Sequence, residues 1–184
     1  MILASITKFQ NLGQAGFGKL VGPIVAQNKT YVRYITSFNE LEFNQILNGQ
    51  WYLRENLKKG VSFSNGSIDV KTSWIDMANV PQPERFYTRK AWLMDLTTGR
   101  CSETTVGLVG MHIVQKTESR PQWIWSSFEH IDNVPQTSPP NIGPTTFNNA
   151  AGQPMPTSNP IPFPPPEKHS AIQCGQVQAD QPFD

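Results

Sequence analysis

The chain reads as mainly β: an antiparallel β-sandwich or partly closed barrel, a jelly roll being one form of it, with one short helix and an irregular proline-rich tail. Three observations carry this reading. Between residues 31 and 135, short stretches of alternating β-branched and aromatic residues recur, separated by glycine, proline and asparagine turns. Only one stretch in that span has helical spacing instead. Twelve of the sixteen prolines fall after Val134, where neither a helix nor a strand ladder can persist. The resulting division is an N-terminal arm over 1–30, an antiparallel β domain over 31–135, and an extended tail over 136–184.

The arm is glycine-rich and has no clear period. Residues 31–36 (YVRYIT) alternate like a short strand. Ser37 and Glu40 match a capping box. Phe38, Leu41, Phe43 and Ile46 then supply an apolar helical stripe, which Asn48-Gly49 ends. Residues 51–54 resume as a strand. Lys58-Lys59-Gly60 and Asn65-Gly66 bracket residues 61–63, and Asn-Gly is the strongest short hairpin signal. Residues 67–77 alternate cleanly, placing Asp69, Lys71 and Ser73 on one face. Pro81 and Pro83 connect to a strand over 85–95, which Thr98-Gly99 turns back. Residues 104–116 are apolar on both faces, and Gly107 and Gly110 within them suggest a bulge or a close backbone approach. Four strands joined by short turns form a meander.

The stretch 121–135 (PQWIWSSFEHIDNVP) carries the densest chemistry. With period two, Trp123, Trp125, Ser127 and Glu129 share one face, and Ile124, Ser126, Phe128 and His130 the other. Large apolar groups on both faces suggest an interior strand. His112, among Val106, Leu108, Gly110 and Val114, reads first as a hydrogen-bonded core histidine. Lys71 reads first as an exposed surface lysine, and Glu129 as a carboxylate at the wet end of its strand. Should the meander bring Lys71, His112 and Glu129 to one rim, a Glu–His pair acts as base and orienter and the lysine stabilises an oxyanion. His112, Glu129, His130 and Asp132 together would suit a metal with mixed N and O ligands. Asp132 and Asn133 also suit a simple Asx turn. Opposite parity sets Glu129 toward the site and leaves His130 to hydrogen-bond a neighbouring strand or loop. Trp123 and Trp125, with Asp132 and Asn133, form a candidate ligand-binding set, since exposed indoles stack on sugar rings. Core packing is the first explanation for at least two of Trp74, Trp92, Trp123 and Trp125.

Fifteen basic and fourteen acidic residues nearly cancel, so no basic stripe points to nucleic acid or an anionic membrane. No apolar run approaches the roughly 20 residues that span a bilayer. The N-terminus lacks the features of a secretory signal, which is the pattern of a cytoplasmic chain, a processed one or a fragment. Cys101 and Cys174 read as two unpaired thiols; if paired, they would staple the tail to the core in an oxidising compartment. No C-x-x-C-H haem motif is present, and no cofactor is implied. In the tail, Phe147, Met155, Ile161 and Phe163 are spaced apolar residues able to pin an extended wrap.

Residues 68–74 (IDVKTSW), 106–117 (VGLVGMHIVQKT) and 121–135 resemble a family of uncharacterised bacterial secreted or periplasmic proteins, some accompanied by c-type cytochrome segments. The resemblance spans about residues 30–140, and W-I-W-S-x-F-E-H-x-D-N-x-P is its most specific part. It implies an envelope or extracellular setting and transfers no catalytic role. Cys174 stands in C-G-Q-V-Q rather than C-x-x-C-H, so covalent haem is not expected. The expected function is a secreted or periplasmic binding or accessory module. Its ligand would be a partner protein or a glycan, with a cytochrome-type redox protein among possible associates. The alternative is a hydrolase, lyase or metal-dependent oxidoreductase using Glu129, His130 and His112 with Lys71.

Overall fold

In the computed structural model the described residues are 2–3, 24–57, 61–94, 101–136, 140 and 144–147. They form one sheet and one α-helix: β1 (Ile2–Leu3), β2 (Arg33–Phe38), α1 (Glu40–Gly49), β3 (Ile68–Asp76), β4 (Thr88–Met94), β5 (Cys101–Thr117) and β6 (Arg120–Glu129). The expected mainly β fold with one helix is the observed one. Its form is a single six-stranded sheet in the order β1-β4-β5-β3-β2, with β6 also on β5. All pairings are antiparallel except that of β1 with β4. β1 also approaches β2, so the sheet curls without closing into a barrel.

β5 is the spine. Its 17 residues contain no proline and run apolar on both sides, so nothing interrupts the ladder. Along 106–115 it pairs with β3. On its other side the first half takes β4 and the second half takes β6. Two strands therefore share one edge of β5, end to end. Opposite Ser73 and Trp74 stand Gly110 and Leu108, which leaves Val109 as an extra residue. That bulge reverses the parity of β5. Val106 and Leu108 fall on the face of Trp74, while Val109, Gly110 and His112 share the opposite face. The bulge expected near the two glycines is present, but His112 is not grouped with Val106 and Leu108.

Each face carries a core. On one, Trp74, Ala91, Leu93 and Val106 pack with Ile35 and Leu108. On the other, Ile75, Met77 and Val109 pack with Ala26 and Val32. Phe86 and Phe147 join that second cluster. Gly107 lets Met77 pack close against β5: a Cβ there would displace Met77 Sδ and lie 3.3 Å from Phe86 Cβ. Phe147 is the tail residue that reaches the core: Thr146 N–H and Phe147 N–H donate to the carbonyls of Asp132 and Asn133 at 2.6 and 3.1 Å. Met155, Ile161, Phe163 and most of the expected extended tail lie outside the described residues.

The helix begins later than Ser37 and Glu40 suggest. Asn39 is the N-cap, and its Oδ1 accepts from Glu42 N–H at 3.1 Å. Asn39 wins because it also bridges to β3, accepting from Ile68 N–H at 3.3 Å and donating to Gly66 O at 2.7 Å. The inward face is not the apolar stripe either. Glu42 is buried, whereas Phe38, Leu41 and Phe43 are exposed. Burial, and then the neighbouring Asp69 carboxylate, push the Glu42 carboxyl above its ordinary range. The C-terminus is a Schellman turn. Trp51 N–H reaches Ile46 O at 3.0 Å and Gln50 N–H reaches Leu47 O at 3.1 Å. Its left-handed residue is Gln50, at φ 49°, not Gly49. Gly49 instead makes room for the Trp51 indole, which a Cβ would overlap. Gln50→Gly should therefore raise stability by about 0.5–1 kcal/mol, the left-handed strain relieved less the added chain entropy. A lower urea midpoint would contradict this.

Residues 51–54 are not a strand. They turn into a 3-10 helix, Arg54–Asn56. The Asn65-Gly66 turn is real, with Gly66 at φ 89° and Ser67 N–H bonded to Ser64 O at 3.1 Å. Residues 61–64 form no strand on its other side, so no hairpin results. The turn docks on β5 through Gly66 N–H to Lys116 O at 2.8 Å. The Thr98-Gly99 turn lies outside the described residues.

Candidate functional site

The register sorts one face into rows. Thr36, Lys71, His112 and Ser127 stand side by side across β2, β3, β5 and β6. The next row is Tyr34, Ser73, Gly110 and Glu129, and the one on the other side is Phe38, Asp69, Val114 and Trp125. Lys71, His112 and Glu129 thus share a face, with Lys71 directly opposite His112 and Glu129 one row away. Glu129 faces a glycine, so no side chain meets it across the ladder. It is exposed and makes no hydrogen bond or ion pair with the described residues. Thr36, His112 and Ser127 are exposed too, so His112 is not a core histidine. Its Nδ1 lies 2.8 Å from Ser127 Oγ, and the Trp125 ring meets it edge-on at 6.4 Å. Lys71 Nζ sits 4.7 Å above the Tyr34 ring, a cation–π contact. Burial pushes the Tyr34 hydroxyl up to about 12.

The two candidate tryptophans separate. Trp123 meets Phe63 edge-to-face at 5.8 Å, and Phe63 meets Trp51 at 5.2 Å. Lys116 Nζ lies 5.7 Å over the Trp123 ring and donates to Ser62 Oγ at 2.8 Å. Trp123 therefore fastens the loop after α1 to the sheet. Trp125 has no such cover and is 67% exposed. Phe128, on the other face of β6, is 53% exposed.

His130, Asp132 and Asn133 belong to a different corner. His130 Nδ1 accepts from Asp132 N–H at 3.2 Å. Nε2 must then donate to the Arg85 carbonyl 3.1 Å away. The ring stacks on Phe86 with centroids 4.1 Å apart. Asp132 takes Arg85 Nε and Nη2 at 2.6 and 2.9 Å, the bidentate pairing that arginine favours. Asn133 Nδ2 donates to Val109 O at 2.7 Å, and His130 N–H reaches the same carbonyl at 3.0 Å. Both donors converge on the bulge residue.

This geometry separates the expected metal set. His112 lies on the open face, both ring nitrogens of His130 are engaged, and Asp132 is held by Arg85. Among the described residues no group of three His, Cys, Asp or Glu side chains is gathered for an ion. Asp132 and Asn133 are buried anchors rather than ligand contacts. The acid–base arrangement is also partial. Among the described residues no third group bonds His112 Nε2, so the His112–Ser127 pair lacks the orienting partner of a triad.

Two features escaped the sequence. Arg85, the partner of Asp132, lies 47 residues away. The second concerns β6, which pairs only with β5 and is an edge strand, not an interior one. Since His130 N–H points at β5 and strand amides alternate, Phe128, Ser126 and Ile124 also point inward. The N–H and C=O groups of Trp125, Ser127 and Glu129 point outward, and no described strand pairs with them.

Cys101, at the start of β5, is disulfide-bonded, not the free thiol expected. The chain's other cysteine, Cys174, lies outside the described residues. Comparison with known proteins matches this chain to no family model, no curated protein and no solved structure.

Proposed function

We propose that this chain is a secreted or periplasmic binding module that takes an extended segment of a partner protein along the outer edge of β6. One observation carries the reading: a ten-residue strand that has no described strand on its outer side and no charge between Arg120 and Glu129. Sheet edges are ordinarily protected by lysines, bulges, short length or covering elements. Here such devices are confined to the strand's start: Pro121, and the register shift opposite Gln115 and Thr117 that takes 121–123 out of the regular ladder. Strand addition uses main-chain hydrogen bonds for affinity and flanking side chains for selectivity. Trp125 on one face and Phe128 on the other would flank an added strand. The disulfide at Cys101 supports an oxidising compartment, and a cytochrome-type redox protein is one partner that the resemblance suggests.

The test is a random peptide display library selected on the immobilised chain. Enriched peptides should protect the amides of Trp125 and Ser127 from hydrogen exchange. Their affinity should fall at least about tenfold in Trp125→Lys, as at a central aromatic anchor. Selection without enrichment, or binding that leaves those amides fast, sinks the reading. A panel of soluble polysaccharides runs alongside. Retention abolished by Trp125→Ala, with the β6 amides still fast, would replace the protein partner with a glycan stacked on Trp125 beside His112 and Ser127.

A further inference from the structure

We infer that α1 is a pH-gated cover on the sheet: it lies docked while Glu42 carries a proton, and ionisation of Glu42 releases it. The inference is independent of how β6 is used. The helix is inside out. Glu42 is its one buried side chain, while Phe38 just before it and Leu41, Phe43 and Leu47 within it are exposed. An amphipathic helix ordinarily docks by burying its apolar stripe. Polar contacts hold α1 instead. Asn39 joins its start to Gly66 and Ile68. Gln45 donates to Ser67 Oγ at 3.1 Å and accepts from Ser64 N–H at 2.7 Å.

Glu42 is the contact that costs. Its Oε2 is sealed from solvent and has no hydrogen-bond partner, and an ionised carboxylate is expensive there. Among the described residues no surrounding charge offsets that cost. β3 brings the Asp69 carboxylate, a like charge, and Lys71, whose ammonium sits over the Tyr34 ring. β2 brings to this face only the Tyr34 hydroxyl, held neutral because burial pushes it up to about 12. β5 brings His112, bonded to Ser127, and Lys116, bonded to Ser62. α1 itself adds the exposed Glu40, and the 3-10 turn after it the exposed Arg54 and Glu55. Residues 61–67 carry no charge. Burial, and then Asp69, raise the Glu42 pKa, so the proton is held more tightly docked than released. Docking is therefore favoured in full below the ordinary glutamate value, and that contribution is lost as pH rises through the raised one. The release is local, because β3 and β5 pair without α1.

The experiment uses the full disulfide-bonded chain. Amide protection factors, corrected for the intrinsic pH dependence of exchange, are read from about pH 4 to about pH 8, a span that starts near the ordinary glutamate value. Amides from Phe43 to Leu47 should lose several-fold in protection as pH rises, while those of β5 keep theirs. Glu42→Gln, the neutral isostere, should hold the α1 protection level across the same span. Protection of α1 that does not change with pH overturns the inference. The same loss in Glu42→Gln overturns it too, by making another group the trigger. A loss shared equally by β5 does so as well, because the whole domain would then be unfolding.

Discussion

Trp74→Ala is expected to destabilise the fold by about 3–5 kcal/mol, while Trp125→Ala stays within about 0.5 kcal/mol of the wild type. Trp74 is 5% exposed and packs against Ala91, Leu93 and Val106. Its Nε1 donates to Thr72 Oγ1 at 2.8 Å, so the indole is both packed and satisfied. Deleting it leaves a cavity in the core on that face of the sheet. Side chains on three strands line that cavity, and they cannot all collapse into it. Trp125 stands on the open face and leaves no cavity. Urea unfolding of the two variants separates the roles, and equal losses would mean that the faces are assigned wrongly.

Asp132→Ala is expected to lower the melting temperature by roughly 10 °C or more, the consequence of breaking a buried bidentate pair. The Asp132 side chain is 5% exposed and that of Arg85 25%. Removing the carboxylate strips Arg85 of both carboxylate acceptors. The 3-10 turn before β4 (Pro83–Arg85) then loses its tie to the segment after β6. His130 remains stacked on Phe86 and bonded to Arg85 O, so the corner loosens rather than disappears. Asp132→Asn should recover part of the loss, since Oδ1 can still accept from Nη2. Glu129→Gln is the contrast: it is exposed, without a described partner, and should leave the melting temperature unchanged. A loss for Asp132→Ala no larger than for Glu129→Gln would remove the structural role given to Asp132.

Strand positions were the most legible part. The segment 67–77 alternates, and 104–116 and 121–129 are rich enough in β-branched and aromatic residues, that β3, β5 and β6 begin and end within a few residues of expectation. Period-two patterning also placed Trp123, Trp125, Ser127 and Glu129 on one face. It failed for His112, because one extra residue at Val109 changes the side of everything before it. It failed for the helix, because Glu42 is buried beside Asp69 while Leu41 and Phe43 face outward. Propensity and pattern assume that burial follows hydrophobicity, and here the inward positions were set by where Asn39 caps against β3. The segment after the helix was misread because Trp51 to Arg54 look like a strand locally but have no neighbouring edge to pair with.

From residue order alone, then, this chain specifies a mainly antiparallel β domain with one short helix. It also specifies its turn at Asn65-Gly66, and a concentration of aromatic and polar groups on its last strand. These follow from interactions between residues close in sequence, which alternation and turn chemistry record directly. What the tertiary structure decided is partnership. Lys71, His112 and Ser127 meet because β3, β5 and β6 pair in one register. His130 and Asp132 leave them because Phe86 and Arg85 hold that corner. β6 lies at the edge of the described sheet because β4 and β6 divide one side of β5 between them. Register and edge order depend on contacts between segments tens of residues apart, and a single strand's pattern is the same whether its outer ladder is filled or open.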